Sequence, residues 1–265
     1  MYNDLITIGN LTIHTYGLCT GLGIMAAILL ADYRARKHKL SDDIVYGILI
    51  FGVLFGYIAS KTTYILVEFD SFIKDPMMVL ASNGFVVMGG LIGGFAAAWI
   101  YCACKKVVFA DYLDLCAPSI AIAQCIGRIG CFFAGCCYGK VTDKWYGIAF
   151  KNSMFAPNHV KLIPTQLISA GLDLINMIIL LIVAKKTKKQ GLVGALYITL
   201  YSIGRFFIEY LRNDERGAIG GLSTSQAGSI VTLVIGIVVL VWALCHKKKV
   251  IEAVEETAAK ETDKE

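Results

Sequence analysis

The chain is divided into long apolar stretches separated by short polar or charged segments. Each stretch holds about 20 mostly apolar residues, the length that an α-helix needs to cross the core of a bilayer. The run from Ile178 to Val183 is apolar at every position, whereas transmembrane strands alternate apolar and polar residues. The pattern therefore predicts seven membrane-spanning helices, over residues 11–32, 44–67, 84–104, 113–134, 166–184, 191–211 and 226–245.

Composition agrees with this pattern. Of the 265 residues, 57% are hydrophobic and only 17% are charged, and the mean hydropathy is +0.65, which is too apolar for a soluble domain. We expect an all-α, polytopic membrane protein with about seven transmembrane helices and a small outer loop region. Residues 1–246 should form one transmembrane domain and residues 247–265 a charged cytoplasmic tail. The longest outer segment, 135–165, is expected to form a small cap or a re-entrant loop.

The distribution of Lys and Arg predicts the orientation, because these residues favour the cytoplasmic side in short loops. Thirteen of them follow the first, third, fifth and seventh spans, and seven lie on the other side in longer loops. The N-terminus is therefore predicted outside and the C-terminus inside. The net charge of +5 comes from these flanks, which indicates contact with anionic membrane lipid rather than with nucleic acid.

Nine cysteines are present. Six are scattered through the predicted spans or their ends, where buried thiols behave as small apolar groups. Cys131, Cys136 and Cys137 cluster near an outer membrane boundary and are able to pair. Adjacent Cys136 and Cys137 make a poor chelating pair without a nearby His, so neither a metal nor another cofactor is predicted.

Two arginines fall inside predicted spans, where an Arg costs about 2.5 to 3.5 kcal/mol on insertion scales and usually faces a cavity or a substrate. Arg128 lies among glycines, and Arg205 precedes Glu209 by one helical turn. Guanidinium groups hold phosphate through paired hydrogen bonds, so the pair indicates a site for an anionic phospholipid. In the alternative reading, Arg205 and Glu209 form an ion pair within their helix and Arg128 extends to the interface.

Two further features have two readings each. Residues 88–94 read Met-Gly-Gly-Leu-Ile-Gly-Gly, and such small residues either line a pocket or let helices approach closely. Tyr16 lies early in the first span, where an aromatic side chain is commonly an interfacial anchor.

The order of motifs resembles the prolipoprotein diacylglyceryl transferase family over nearly the whole chain. The most specific match is residues 127–139, Gly-Arg-Ile-Gly-Cys-Phe-Phe-Ala-Gly-Cys-Cys-Tyr-Gly. Further matches are Tyr16-Gly17, residues 89–93, Pro164-Thr165-Gln166-Leu167, and Arg205 with Glu209. Lys61 stands where the family tends to have an Arg.

The resemblance implies transfer of a diacylglyceryl group from phosphatidylglycerol to the lipobox cysteine of a prolipoprotein signal peptide, in the bacterial cytoplasmic membrane. This is the first step of lipoprotein maturation; it forms a thioether and releases glycerol phosphate. The catalytic residues implied are Arg128, Arg205, Tyr16 and Glu209. The substrate-binding residues implied are Gly89, Gly90, Gly127, Gly130, Cys131, Gly139, Gln166 and Lys61.

The chain departs from the family at several positions. Met88 replaces a His, Cys131 an Asn, Cys136 a Glu and Ile163 another His. A thiol with a pKa near 8.5 is mostly protonated at neutral pH, so Tyr16, Glu209, Cys136 or the lipid phosphate must take its proton. Two alternatives follow: an anionic-phospholipid-binding or transport paralogue without the chemistry, and a membrane thiol oxidoreductase that uses the three clustered cysteines.

Overall fold

The computed structural model describes residues 4–8, 11–82, 84–151, 153, 155–213, 218, 219 and 221–245. The helices in these residues are α1 (Thr15–Lys37), α2 (Asp42–Val67), α3 (Phe69–Lys74), α4 (Pro76–Ala81), α5 (Val87–Cys104), α6 (Phe109–Ala134), α7 (Thr165–Lys186), α8 (Leu192–Glu209) and α9 (Thr224–Cys245). The strands form three antiparallel pairs, β1 (Asp4–Ile8) with β2 (Leu11–His14), β3 (Ile148–Ala149) with β4 (Lys161–Leu162), and β5 (Ala218–Ile219) with β6 (Leu222–Ser223).

Seven of these helices are long and apolar enough to cross a membrane: α1, α2, α5, α6, α7, α8 and α9. They correspond one to one to the seven predicted stretches, which confirms the expected all-α, polytopic membrane fold. Large apolar side chains such as Leu29, Ile50 and Val231 are more than half exposed. Such a surface is what a lipid solvent favours, because lipid tails are as apolar as the side chains.

Three helix starts differ from the predicted spans by three or four residues. One of them is that of α6, which begins at Phe109 rather than at residue 113. The first helix begins at Thr15 rather than at residue 11, because Leu11–His14 pairs with β1 as a strand. The third begins at Val87 rather than at residue 84, because the segment before it is extended and Val86 N donates to the Ser60 carbonyl oxygen at 3.2 Å. The predicted tail over residues 247–265 lies outside the described residues.

The described residues divide into two compact units. The first contains the residues up to Ala31 and those from Leu113 onward, and the second is Asp32–Tyr112. The division falls inside α1 and α6.

In the second unit, α2 and α5 approach closely through glycines. A Cβ at Gly94 would lie 2.9 Å from the Gly52 carbonyl oxygen, and a Cβ at Gly56 would lie 3.1 Å from that of Gly90. Within each helix the two glycines are four residues apart and therefore share one face. Small residues at this spacing are typical of closely packed membrane helices, so glycines of the third span serve helix packing.

In the first unit, Asp114 of α6 holds the N-terminus of α8. Its Oδ2 accepts a hydrogen bond from Gly191 N at 2.6 Å, and its Oδ1 accepts one from Gly194 N at 2.7 Å. The first N–H groups of a helix lack partners within the helix and carry partial positive charge. The carboxylate satisfies both needs and fixes α8 against α6, the two helices that carry Arg205 and Arg128.

The segment between α6 and α7 has a small core of its own. Phe150 and Leu162 are fully buried, and Ala156 is nearly so. Phe132 and Tyr138 pack against this cluster. The segment is therefore packed locally and contains the β3–β4 pair.

Candidate functional site

A cavity of about 130 Å³ lies among α6, α7 and α8 in the first unit. Both arginines predicted from the sequence, Arg128 and Arg205, line it. Its other polar lining residues are Ser169, Asp173, Asn176 and Tyr201. Its apolar lining residues are Leu172, Ile175, Ile179, Leu200 and Ile208. The cavity thus combines cationic groups with apolar walls, the combination that suits the headgroup end of a phospholipid.

Arg128 is half-buried, and its guanidinium makes no hydrogen bond or ion pair with any residue that the structure describes. A guanidinium has five N–H donors, and a cation inside a spanning helix usually has a partner or a substrate. Arg128 lines the cavity together with Arg205, and it interacts electrostatically with Asp173 in the same lining. This arrangement favours binding of an anion from outside the chain.

Arg205, in contrast, is held in place by Glu209 and Ser225. Its Nη1 lies 2.7 Å from Glu209 Oε2, and its Nη2 donates to Ser225 Oγ at 2.8 Å. The side chains of Arg205 and Glu209 are only 13% and 6% exposed. The ion pair expected in the alternative reading therefore exists, but it lies at the cavity wall and leaves Arg205 there as an oriented cation.

The start of α9 orients Glu209 in turn. Ser223 Oγ donates to Glu209 Oε1 at 2.8 Å and accepts from Gln226 N at 3.1 Å. Gln226 Oε1 accepts from Ser223 N at 3.1 Å. This reciprocal pair is a capping box, which satisfies two N–H groups at the helix start. The α9 cap thus positions Glu209, and Glu209 positions Arg205.

The sequence analysis missed all four of the other polar residues of the cavity, Ser169, Asp173, Asn176 and Tyr201. Two of them, Asp173 and Asn176, are buried residues of α7. Each is 6% exposed, and Asn176 Oδ1 has no hydrogen-bond partner among the described residues. They are three residues apart on α7 and therefore share a face. A signal existed, because a carboxylate inside an apolar span is rare unless it faces a cavity or a partner.

Gln166 and Thr165, at the start of α7, hold the loop that follows α6. Gln166 Nε2 donates to the Cys136 carbonyl oxygen at 2.7 Å, and Thr165 Oγ1 donates to that of Cys137 at 2.7 Å. Gln166 is 1% exposed, and its Oε1 has no hydrogen-bond partner among the described residues. That acceptor is available to a substrate hydroxyl, so the headgroup role predicted for Gln166 stays a prediction.

Tyr16 lies against α6 rather than in the cavity lining. A Cβ at Gly130 would lie 2.9 Å from Cys19 Cβ and 3.4 Å from a Tyr16 ring carbon. Tyr16 is 48% exposed. A Cβ at Gly127, one turn earlier on α6, would meet nothing within 4 Å. Gly130 thus permits close approach of α1, and the substrate-binding roles of both glycines stay predictions.

Gly139 packs too tightly for any other residue. A Cβ there would lie 2.6 Å from the Ile163 carbonyl oxygen and 2.9 Å from that of Leu211. Its N donates to the Ile163 carbonyl oxygen at 3.0 Å. Local backbone packing therefore explains why glycine occupies position 139. The substrate-binding role of Gly139 stays a prediction.

Lys61, Gly89 and Gly90 belong to the second unit. Lys61 Nζ donates to the Ser82 carbonyl oxygen at 2.7 Å and lies 5.0 Å from the centre of the Phe85 ring. A Cβ at Gly89 would collide with the Thr63 side chain, and a Cβ at Gly90 would lie 3.1 Å from Ser60 Cβ. The three residues thus have structural contacts within this unit, and their substrate-binding role stays a prediction. A larger cavity in this unit, about 680 Å³, has no charged residue in its lining.

The sulfur atoms of Cys131, Cys136 and Cys137 lie within 4.8 Å of one another. Hydrogen bonds from the Cys131 and Cys136 thiols and the positive charge of Arg212 lower the pKa of Cys137, although burial opposes the shift. Interactions with the Cys131 and Cys137 sulfurs raise the pKa of Cys136. The sulfur atoms of adjacent Cys136 and Cys137 both lie close to that of Cys131. This geometry does not support the expectation that the two adjacent cysteines chelate poorly.

Comparisons with known proteins agree with the resemblance seen in the sequence. A family model described as "Prolipoprotein diacylglyceryl transferase" matches residues 3–242. A protein of Clostridium tetani named phosphatidylglycerol–prolipoprotein diacylglyceryl transferase is 42% identical over 236 residues, which are 89% of this chain and 95% of that protein.

Two proteins of Clostridium perfringens carry the same name, with the numbers 2 and 1. The first is 41% identical over 86% of this chain and 90% of its own length. The second is 32% identical over 92% of this chain and 95% of its own length. These relatives are thus similar to most of the chain, and the range that the family model matches contains the positions of both cavity arginines.

Proposed function

Because this chain belongs to the prolipoprotein diacylglyceryl transferase family, we propose that it transfers the diacylglyceryl group of phosphatidylglycerol to the lipobox cysteine of a prolipoprotein signal peptide. The observation that carries the proposal is the convergence of Arg128 and Arg205 on one partly apolar cavity. The reaction forms a thioether between the peptide and the diacylglyceryl group, and it releases glycerol phosphate.

The cavity suits the donor lipid. Phosphatidylglycerol carries one negative charge at its phosphodiester and apolar chains beyond the glyceryl unit. Arg128 offers unused donors for the phosphate, and guanidinium groups bind phosphate in paired, charge-assisted hydrogen bonds. The apolar residues of α7 and α8 in the lining provide contacts for the glyceryl and acyl groups.

The same two cations serve the chemical step. When the carbon–oxygen bond to the glyceryl group breaks, the leaving phosphate gains a second negative charge. Preorganised cations stabilise charge that develops in the transition state, and removal of one such group commonly lowers the rate by about 100- to 1,000-fold. Arg205 is preorganised by Glu209 and Ser225, and Arg128 is free to bind the phosphate.

The proposal includes a location in the bacterial cytoplasmic membrane with the N-terminus outside and the C-terminus in the cytoplasm. The thirteen-to-seven distribution of Lys and Arg supports this orientation. It leaves the loop after α6 and the start of α7 on the outer side, where a translocated signal peptide presents its cysteine.

A reconstituted reaction tests the activity. Purified protein in detergent is mixed with phosphatidylglycerol and a lipobox peptide, and the mass of the peptide is measured by mass spectrometry. We expect a diacylglyceryl thioether on the peptide with cysteine and none on a matched peptide with serine. An unmodified cysteine peptide, from folded protein that still binds phosphatidylglycerol, would contradict the proposal and favour the lipid-binding paralogue.

A further inference from the structure

The cysteine cluster contains three thiols, one more than a single disulfide would join. Cys131 lies in the last turn of α6, and Cys136 and Cys137 lie in the loop that follows. All three are free thiols of intermediate burial, with their sulfur atoms within 4.8 Å of one another. A disulfide joins only two sulfurs, whereas three converging sulfurs form the donor set of a thiolate metal site.

The backbone holds this arrangement independently of the sulfurs. Gly135 and Cys137 both have left-handed backbones, with φ of 73° and 61°. Such a conformation suits Gly but costs other residues about 1–2 kcal/mol. The surrounding fold therefore holds Cys137 in a backbone conformation that a Cys residue does not favour by itself. Gln166 and Thr165 bind the carbonyl oxygens of Cys136 and Cys137. The loop is therefore fixed from α7, as hydrogen bonds to ligand-bearing groups fix other metal sites.

We propose that Cys131, Cys136 and Cys137 bind one thiophilic divalent cation, with Zn²⁺ as the probe, and that the acceptor thiol of the prolipoprotein takes its fourth coordination position. The second part rests on the proposed function. Zn²⁺ binds thiolate sulfur at about 2.3 Å in a tetrahedral arrangement, which places neighbouring sulfurs about 3.8 Å apart. The observed separations exceed this value by at most about 1 Å.

The number of ligands favours a reactive site over a purely structural one. Structural Zn²⁺ has four protein ligands, whereas catalytic Zn²⁺ keeps three and leaves the fourth position open. Among the described residues, the three cysteines form the complete group of convergent ligand atoms. A cation with three thiolates carries one net negative charge, and Arg212, which is 7% exposed and faces the Cys137 sulfur, supplies the balancing positive charge.

The proposed step balances in atoms and charge. Binding of Zn²⁺ displaces three thiol protons to water, and binding of the acceptor thiol displaces a fourth. The acceptor sulfur then forms a bond to the glyceryl methylene carbon of phosphatidylglycerol as the bond from that carbon to the phosphate oxygen breaks. The electron pair of the broken carbon–oxygen bond leaves with glycerol phosphate. The thioether product is a weak ligand and dissociates from the cation, and Zn²⁺ keeps its oxidation state. A metal-bound thiol is deprotonated outright, so the step needs no His at the position of Met88.

Metal binding is measured first, without reference to activity. The full chain is purified in detergent, stripped with a chelator under reducing conditions and titrated with Co²⁺ and Zn²⁺. We expect one equivalent per chain and a thiolate-to-cobalt absorption band. Cys131→Ser and Cys136→Ser should lose both, whereas Cys104→Ser, at an exposed cysteine outside the cluster, should keep both. Cys136→His, which keeps a ligand, should retain the equivalent if the variant is folded.

A lipobox peptide then tests the open position. Addition of the cysteine peptide to the cobalt form should change the absorption band, and the serine peptide should not. Chelation should lower the rate of transfer by about 100-fold or more, the size of a lost general base, and Zn²⁺ should restore it. Absence of a stoichiometric cation, or transfer at an unchanged rate after stripping, would overturn the metal proposal while leaving the proposed function intact. Cysteine-dependent metal binding without any transfer would instead contradict the proposed transferase function and the binding of the acceptor thiol. It would still support the metal site formed by the three cysteines.

Discussion

Gln166 donates a hydrogen bond of 2.7 Å from its side-chain Nε2 to the backbone carbonyl oxygen of Cys136. Both groups are shielded from water, because Gln166 is only 1% exposed. The bond ties the first turn of α7 to the loop after α6. This loop carries two of the three clustered thiols, Cys136 and Cys137, so the start of α7 helps to determine where those two lie.

Replacement of Gln166 should therefore disturb the loop as well as the site. Gln166→Ala leaves the Cys136 carbonyl oxygen without its donor, and a buried group left unsatisfied costs about 1–3 kcal/mol. We expect a lower midpoint of thermal unfolding in detergent and a fall in kcat/KM of at least about tenfold. Ser71→Ala, at an exposed hydroxyl, serves as the control. If Gln166→Ala has the unfolding midpoint and the kcat/KM of the wild type, the hydrogen bond from Gln166 to the Cys136 carbonyl oxygen does not stabilise the loop or the site.

Glu209 should act through Arg205. Glu209→Gln keeps the shape of the side chain but removes the charge that holds the guanidinium at 2.7 Å. Loss of a hydrogen bond between charged groups costs about 1.5–3 kcal/mol, so we expect kcat/KM to fall by roughly 10- to 100-fold.

A double-mutant cycle separates this role from a direct one. In an Arg205→Ala background, Glu209→Gln should have little further effect on kcat, because the group that it positions is gone. A full additional loss in that background would mean that Glu209 acts on the substrate itself.

Gly139→Ala should destabilise the segment between α6 and α7. Its Cβ would lie 2.6 Å from one carbonyl oxygen and 2.9 Å from another, and overpacking of this kind typically costs about 1–3 kcal/mol. Limited proteolysis should then cut between α6 and α7 faster than in the wild type. Gly171→Ala is the matched control, since a Cβ there meets nothing within 4 Å. Equal cleavage rates for the two variants would refute the packing explanation.

Asp114→Asn should loosen the start of α8. The amide keeps one acceptor oxygen, so the Gly191 and Gly194 N–H groups lose one of their two separate acceptors, and the attraction of a full negative charge to the helix dipole is lost. We expect a destabilisation of about 1–3 kcal/mol, visible as faster amide hydrogen exchange in the first turn of α8. Asp143→Asn, at an exposed position, should leave that exchange rate unchanged. An unchanged exchange rate for Asp114→Asn would contradict the role of Asp114 in capping α8.

The sequence was sufficient for the spans and for the two cavity arginines. Apolar runs of spanning length identify the helices, and an Arg within such a run indicates a partner or a substrate. The strand over Leu11–His14 was missed because its Ile and Thr residues continue directly into the apolar run of α1. Periodicity alone does not separate a short strand from the start of a helix.

The remaining site residues depend on long-range packing. Asp173 and Asn176 become part of the site only because α7 and α8 enclose a cavity with Arg128, and the sequence does not indicate which helix faces meet. The cysteine cluster was underestimated for a different reason. Adjacent side chains point to one place here because Cys137 adopts a left-handed backbone, a conformation uncommon for any residue except Gly.

The proposed function requires that the guanidinium of Arg128 binds the phosphate of the donor lipid in the transition state. This requirement is tested by the single-turnover rate at which saturating phosphatidylglycerol modifies a lipobox peptide, for Arg128→Ala and Arg128→Lys. The control is Arg36→Ala, at a side chain 70% exposed and paired with Asp32. We predict a loss of about 100-fold or more for Arg128→Ala, a smaller loss for Arg128→Lys, which keeps the charge but not the paired donors, and no loss for the control. A folded Arg128→Ala variant that modifies the peptide at the wild-type rate would contradict this requirement.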